Sequence, residues 1–175
     1  MRAKYPRESL AVVTDIILPG ETNPINNLFG GDLLARMDRI ASISAGRHCR
    51  RHVVTASVNH VAFQKPIPLG SIITIEAKVS RAFKTSMEVY IEVFMEDRIN
   101  GEKTRVNDAI YTFVAVDEYG SPVQVPELKP ETALEKERYN AALRRRELSL
   151  VLAGKMAPKD AVNLKSIFLG ETAEK

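Results

Sequence analysis

"NPINNLFGGDLLARMD", residues 23–38, decides the fold. An asparagine-rich loop runs into Gly30-Gly31 and then into a stretch with helical spacing. From Asp32 to His48, Leu33, Leu34, Met37, Ile40, Ala41, Ser44 and Ala45 recur every third or fourth position. That recurrence predicts one amphipathic helix with a single buried stripe. On a wheel of about 100° per residue, Asp32, Arg36 and Arg39 fall opposite the stripe, where water is expected. Asp38 falls at the margin of the stripe instead, beside Leu34 and Ala45. Helix geometry alone leaves two readings of it open: a flank carboxylate paired with an arginine, or a carboxylate placed for chemistry.

Gly30 and Gly31 stand at the start of this helix, where backbone N–H groups lack intrahelical partners and the dipole is positive. Residues without side chains let a ligand approach those donors closely. Polarising a carbonyl oxygen or holding an oxyanion has that requirement. Asp38 lies two turns further on, about 10 Å from the helix start by axial rise. It cannot serve a ligand at its own helix N-terminus. A second copy of the chain with its helix antiparallel to the first would bring one Asp38 to the other's glycine end.

Around this helix the chain reads as strands. Residues 9–18, "SLAVVTDIIL", form a first strand, ended by Pro19-Gly20. After the helix come "HVVTASVNHVAF" (52–63), "SIITIEAKVSRAF" (71–83), "SMEVYIEVFMED" (86–97) and "NDAIYTFVAVD" (107–117). The last is apolar on both faces and is expected inside the sheet. Short connections make consecutive strands antiparallel. One helix on one sheet is a two-layer α+β domain, expected over residues 1–126. Such a domain covers one sheet face only, so a homo-oligomer is expected to cover the other. Residues 127–175 form an extension: a second helix from about Glu131 to Ala153 and a tail in which Ile167, Phe168 and Leu169 have no clear assignment.

The 175 residues, 45% apolar and 27% charged, suffice for one buried core. No apolar run approaches a membrane span, and "MRAKYPRESL" lacks the apolar run of a secretory signal. A lone cysteine, Cys49, excludes an internal disulfide framework and fits a reducing cytoplasm. A net charge of +3 suits an anionic small molecule as well as nucleic acid. The aromatic share of 6% has no stacking pattern beside the Arg144–Arg146 run, so no nucleic acid partner is expected. That run is read either as a solvated face or as a dock for phosphates.

Four segments in series, "NPINNLFGGDLLARMD", "RHCRRHVVTASVNHVAFQKPIPLG", "KTSMEVYIEV" and "YTFVAVDEYGSPVQVP", resemble the acyl-CoA hydrolases of the hotdog fold. The cytosolic long-chain (brain-type) group is the most similar. The resemblance runs from about Tyr5 to the region of Arg145. It implies a long helix wrapped by an antiparallel sheet, pairing into dimers, three of which form a hexamer. It implies a thioesterase that cleaves fatty acyl-CoA and needs no metal or redox cofactor. It places a catalytic Asn and Asp on Asn23 and Asp38, with Gly31, and Gly30 beside it, at the carbonyl oxygen. Asn26 and Asn27 are rivals for the asparagine. Asp38 would act either as general base on water or by direct attack. The resemblance further suggests that Val54, Thr55, Ala56 and Ser57, with Arg81, Lys84, Thr85 and Ser86, line the path of coenzyme A.

Competing motifs are weaker. His48, Cys49 and His52 offer only three metal ligands, with His48 and Cys49 adjacent and pointing apart, so no metal site is expected. No G-x-S-x-G elbow and no Rossmann or Walker glycine pattern occurs. The alternative from another functional class is a non-catalytic acyl-CoA-binding regulator. Such proteins carry a DNA-binding module, and no helix-turn-helix stretch fits here.

Overall fold

The computed structural model describes residues 1–169, with side chains to residue 166. Ile167, Phe168 and Leu169 therefore lie outside the described side chains. The chain divides into two compact units, Met1–Lys129 and a second beginning at Pro130.

In the first unit, β1 (Ala11–Ile16) precedes α1 (Gly30–Cys49). Strands β2 (His52–Phe63), β3 (Ile72–Ala82), β4 (Ser86–Glu96) and β5 (Lys103–Val116) follow. They form one sheet in the order β1-β3-β4-β5-β2, with every pair antiparallel. The arrangement is the hotdog: a long helix held in the concave face of a curled sheet. Core formation follows the strand period of two. Ile73, Ile75, Ala77 and Val79 from β3 and Met87, Val89, Ile91 and Val93 from β4 are all buried. On α1 the buried set is Leu33, Met37, Ile40, Ala41, Ser44, Ala45, His48 and Cys49. The anticipated stripe thus runs one turn further, while Leu34 is only half-buried.

Three expectations change. First, β5 begins four residues earlier than the sequence pattern indicated, because the polar run Lys103–Val106 pairs with the end of β4 through a register shift. Polarity hid a strand that backbone pairing builds. Second, the far side of the sheet is not an open apolar face. Ser80, Glu88 and Asp108 on that side are buried. Ser80 Oγ donates to Glu88 Oε1 at 2.5 Å, and Gln64 Nε2 donates to Asp108 Oδ1 at 2.6 Å. The exposed apolar side chains lie instead on the edge strands: Val12, Val13 and Ile16 on β1, and Val54, Val58 and Phe63 on β2. Third, Arg36 is not solvated. Its side chain is 11% exposed and reaches Asp15 and Glu21.

The C-terminus of α1 is closed by Arg50 in the left-handed region (φ 55), whose N–H donates to Gly46 O. Lys4 Nζ donates to Arg47 O at 2.9 Å in the same turn, a cation where the dipole is negative. His48 is fully buried, with Nε2 2.8 Å from Pro126 O, and so is a core residue.

The second unit holds α2 (Ala133–Leu152) and α3 (Val162–Leu169). Thr132 and Glu135 form a capping box at the start of α2. The buried Glu147 of α2 accepts from Asn163 Nδ2 at 2.6 Å and from the Leu164 N–H at 2.8 Å. A carboxylate from one helix thereby caps the next, which is why the sequence pattern alone did not reveal α3.

Candidate active site

Residues 22–28 form a tight loop closed by the Thr22–Leu28 bridge. Inside it, Asn23 Oδ1 accepts the N–H groups of Ile25 and Asn27, each at 3.1 Å. The carbonyl side of the amide is thus committed to the loop, and Nδ2 is the end available as a donor. Asn26 takes the left-handed conformation (φ 56) that turns the loop, and its side chain is exposed. Asn27 shares a cavity of about 240 Å³ with Asn23, Gly30, Leu33 and Phe63. Asn23 and Asn27 thus both line the cavity at the helix start, and the bonds to Oδ1 leave Nδ2 as the donor end of Asn23.

Phe29 precedes α1 without a side-chain cap, and the first intrahelical bond of the series is Leu33 N–H to Phe29 O. The N–H groups of Gly30, Gly31 and Asp32 precede it, at the positive end of the helix where intrahelical acceptors are lacking. The two glycines serve different needs. A Cβ on Gly30 would stand 3.2 Å from Cζ of Phe63, so its bare backbone lets that ring lie on the helix start. A Cβ on Gly31 would meet nothing within 4 Å. Gly31 faces open space, the condition for a ligand to reach its N–H.

Asp38 does not line this cavity. It is half-buried on α1, and its Oδ1 accepts the hydroxyl of Thr55 at 2.8 Å. Tyr111, beneath α1, donates to Leu34 O at 3.1 Å. Burial, and secondarily the Asp38 charge, push its hydroxyl up to about 12. Tyr111 thus stays protonated and is no base.

A bulge at Ala56 lets both Thr55 and Val58 face the helix, since Thr55 pairs with Phe113 and Val58 with Tyr111. Among the 54–57 residues, Val54, Thr55 and Ala56 are exposed on the edge strand. The 81–86 segment is at the same end of the sheet, because Val54 and Ser86 both pair with Val114. Arg81 stacks over the Phe83 ring at 5.7 Å, Lys84 is exposed, Thr85 half-buried and Ser86 buried. Among the described residues no group of side chains could hold a metal ion.

The geometry thus sets the candidate residues in two places. The Asn23 donor and the helix N-terminus lie at one end of the domain, and the Asp38–Thr55 pair lies along its open edge.

Comparison with known proteins defines the class. Residues 25–102 match the family described as "Thioesterase superfamily". An uncharacterised acyl-CoA thioester hydrolase of Bacillus subtilis, YkhA, is 43% identical over 81% of this chain and 83% of its own. An acyl-CoA hydrolase of Staphylococcus aureus, solved with butyryl coenzyme A, coenzyme A and coenzyme A disulfide, is 34% identical. It covers 97% of this chain and 99% of its own, with a TM-score of 0.81. A hexameric acyl-CoA thioesterase is 36% identical, covers 87% of this chain and 98% of its own, and has a TM-score of 0.84. The chain belongs to the thioesterase superfamily, among its hotdog-fold acyl-CoA thioester hydrolases. The S. aureus enzyme has also been solved with an asparagine, an aspartate or a threonine replaced by alanine. Those three residues are spaced along that chain as Asn23, Asp38 and Thr55 are along this one.

Helix periodicity and helix-end chemistry, both local, singled out Asp38 and the two glycines as candidates, whereas Asn23 rested on the family resemblance. Sequence reading assigned Thr55 only to the coenzyme path, and it missed Phe63 and Arg36. Their contacts cross from strand or loop to helix, and no spacing rule encodes them.

Proposed function

We propose that the chain hydrolyses fatty acyl-CoA to a free fatty acid and coenzyme A at sites that each draw on two copies of it. The carrying observation is the separation just described: Asp38, held by Thr55, does not line the cavity shared by Asn23 and Gly30 of the same chain. An antiparallel pairing of two α1 helices, with the open β2 edges adjacent, puts Asp38 of one copy at the Gly31 end of the other.

In that site the thioester oxygen accepts from the Gly31 N–H and Asn23 Nδ2. In the other copy, Thr55 holds Oδ1 of its own Asp38, leaving Oδ2 to take a proton from water. Water attacks the carbonyl carbon, and the oxyanion rests on the two donors, which strengthen as charge develops. Collapse breaks the C–S bond, and the thiolate leaves as coenzyme A, taking up the proton. Direct attack by Asp38 would instead pass through an anhydride. Hydrolysis in ¹⁸O-water separates the two, since an anhydride opened at the aspartyl carbon places label in Asp38.

The finer reading is a cytosolic enzyme of the long-chain group, acting as a trimer of dimers without metal or redox cofactor. Coenzyme A would run along Val54–Ser57 and the turn of Arg81, Lys84, Thr85 and Ser86. The four segments shared with that group and the hexameric relative support it.

Thiol release across a series from acetyl- to palmitoyl-CoA tests the activity and its chain-length preference. Mixing Asn23→Ala with Asp38→Asn under subunit exchange tests the shared site. A mixed dimer carries one doubly damaged site and one intact site, so activity returns to a fraction of wild type. A mixture that stays inactive despite proven exchange places both residues in one chain's site.

A further inference from the structure

The loop that carries Asn23 is tied to α1 by a side chain that helical spacing assigns to water. Arg36 reaches two carboxylates at once: Nη1 donates to Asp15 Oδ2 on β1 at 2.5 Å, and Nη2 donates to Glu21 Oε1. Glu21, the residue just before the Asn23 loop, in turn holds the segments that flank it. Its Oε2 accepts the Leu18 N–H at 2.8 Å, and its backbone oxygen accepts the Phe29 N–H at 3.0 Å. Phe29 is the residue immediately before Gly30, and residues 22–28 close on themselves through the Thr22–Leu28 bridge. Every bond in the series Arg36–Glu21–Phe29 therefore fixes the loop against the start of the helix.

We infer that Arg36 is a positioning residue of the hydrolytic reaction, setting the Asn23 amide against the helix N-terminus through Glu21. The inference rests on the reading of Asn23 as a carbonyl donor. Two carbonyl-directed donors on separate segments act together only while the distance between them is fixed. A displacement of about 1 Å is enough to lose much of the rate. Arg36 suits the task because its planar fork satisfies two carboxylates in one geometry, which a lysine ammonium cannot do. Its long stem, mostly out of water, keeps that geometry from averaging away.

The test is a kinetic cycle on palmitoyl-CoA with Arg36→Met, Arg36→Lys, Glu21→Gln, Asn23→Ala and the Arg36→Met/Asn23→Ala double variant, each with its Tm. Arg36→Met should lower kcat about tenfold and leave KM within about twofold. Arg36→Lys should recover part of that loss. In the Asn23→Ala background, Arg36→Met should cost nothing further in kcat, because the group it positions is gone. Glu21→Gln keeps the side-chain shape and should repeat the Arg36→Met result, which decides the matter if Arg36→Met does not fold. Losses that multiply in the double variant, or wild-type kcat in Arg36→Met or Glu21→Gln while Asn23→Ala is impaired, overturn the inference alone. Wild-type kcat in Asn23→Ala overturns the reading of the site beneath it.

Discussion

Thr55 on the edge strand donates its hydroxyl hydrogen to Oδ1 of Asp38 on the central helix across 2.8 Å. The bond fixes which oxygen of the half-buried carboxylate remains available.

Removing the hydroxyl should therefore affect catalysis rather than folding. Thr55→Val keeps strand propensity and leaves Asp38 free to rotate. We expect kcat to fall about tenfold with KM little changed, the signature of an interaction realised in the transition state. Steady-state kinetics with a Tm measurement checks this, and Thr55→Ser should restore most of the rate.

The two glycines should respond differently to alanine. In Gly31→Ala the new methyl enters open space, so the fold and Tm should hold while the ligand's approach to the N–H is obstructed. We expect a large kcat loss at wild-type stability. In Gly30→Ala the methyl meets Phe63 at 3.2 Å, and this ring, 57% exposed, must give by a few tenths of an ångström. Restoration of activity in Gly30→Ala/Phe63→Ala but not in Gly31→Ala/Phe63→Ala would separate the packing role from the donor role.

Lys84 is exposed at the end of the sheet that also carries Val54 and Thr55. Lys84→Gln should raise KM for acyl-CoA and flatten its salt dependence while sparing kcat, because exposed charges steer phosphates through a screened field. An equal loss in kcat at unchanged KM would remove this turn from the coenzyme path.

His48 gives the stability a pH dependence. Burial, with a smaller contribution from Lys4, holds its imidazole below the ordinary 6.5; the Pro126 carbonyl and Glu8 oppose the shift without cancelling it. The unfolded chain then binds more protons than the folded one, so this contribution is complete above pH 6.5 and declines as pH falls toward the depressed folded value. Denaturant titrations between pH 8 and pH 5 should show falling stability. His48→Gln, which keeps a donor for Pro126 O and does not titrate, should flatten that slope.

The helix, the five strands in chain order and the positions of Gly31 and Asp38 on the helix were legible in the sequence, whereas Asn23 was named only through the family resemblance. Strand alternation and the stripe from Leu33 to Ala45 are short-range consequences of backbone geometry. The lower reach of β5 was not legible, since Lys103–Val106 becomes strand only through pairing with β4. Nor was α3, whose first turn depends on the Glu147 carboxylate of another helix. Arg36 was assigned to water because a helical wheel reports direction from the axis and is blind to what approaches from outside. Tertiary structure brought Asp15 and Glu21 to it, set Thr55 on Asp38 and laid Phe63 over Gly30. The sequence by itself determined the elements and the chemistry available at the helix start, because both arise within a few residues of chain. The meeting of groups dozens of residues apart was decided only by the curl of the sheet around the helix.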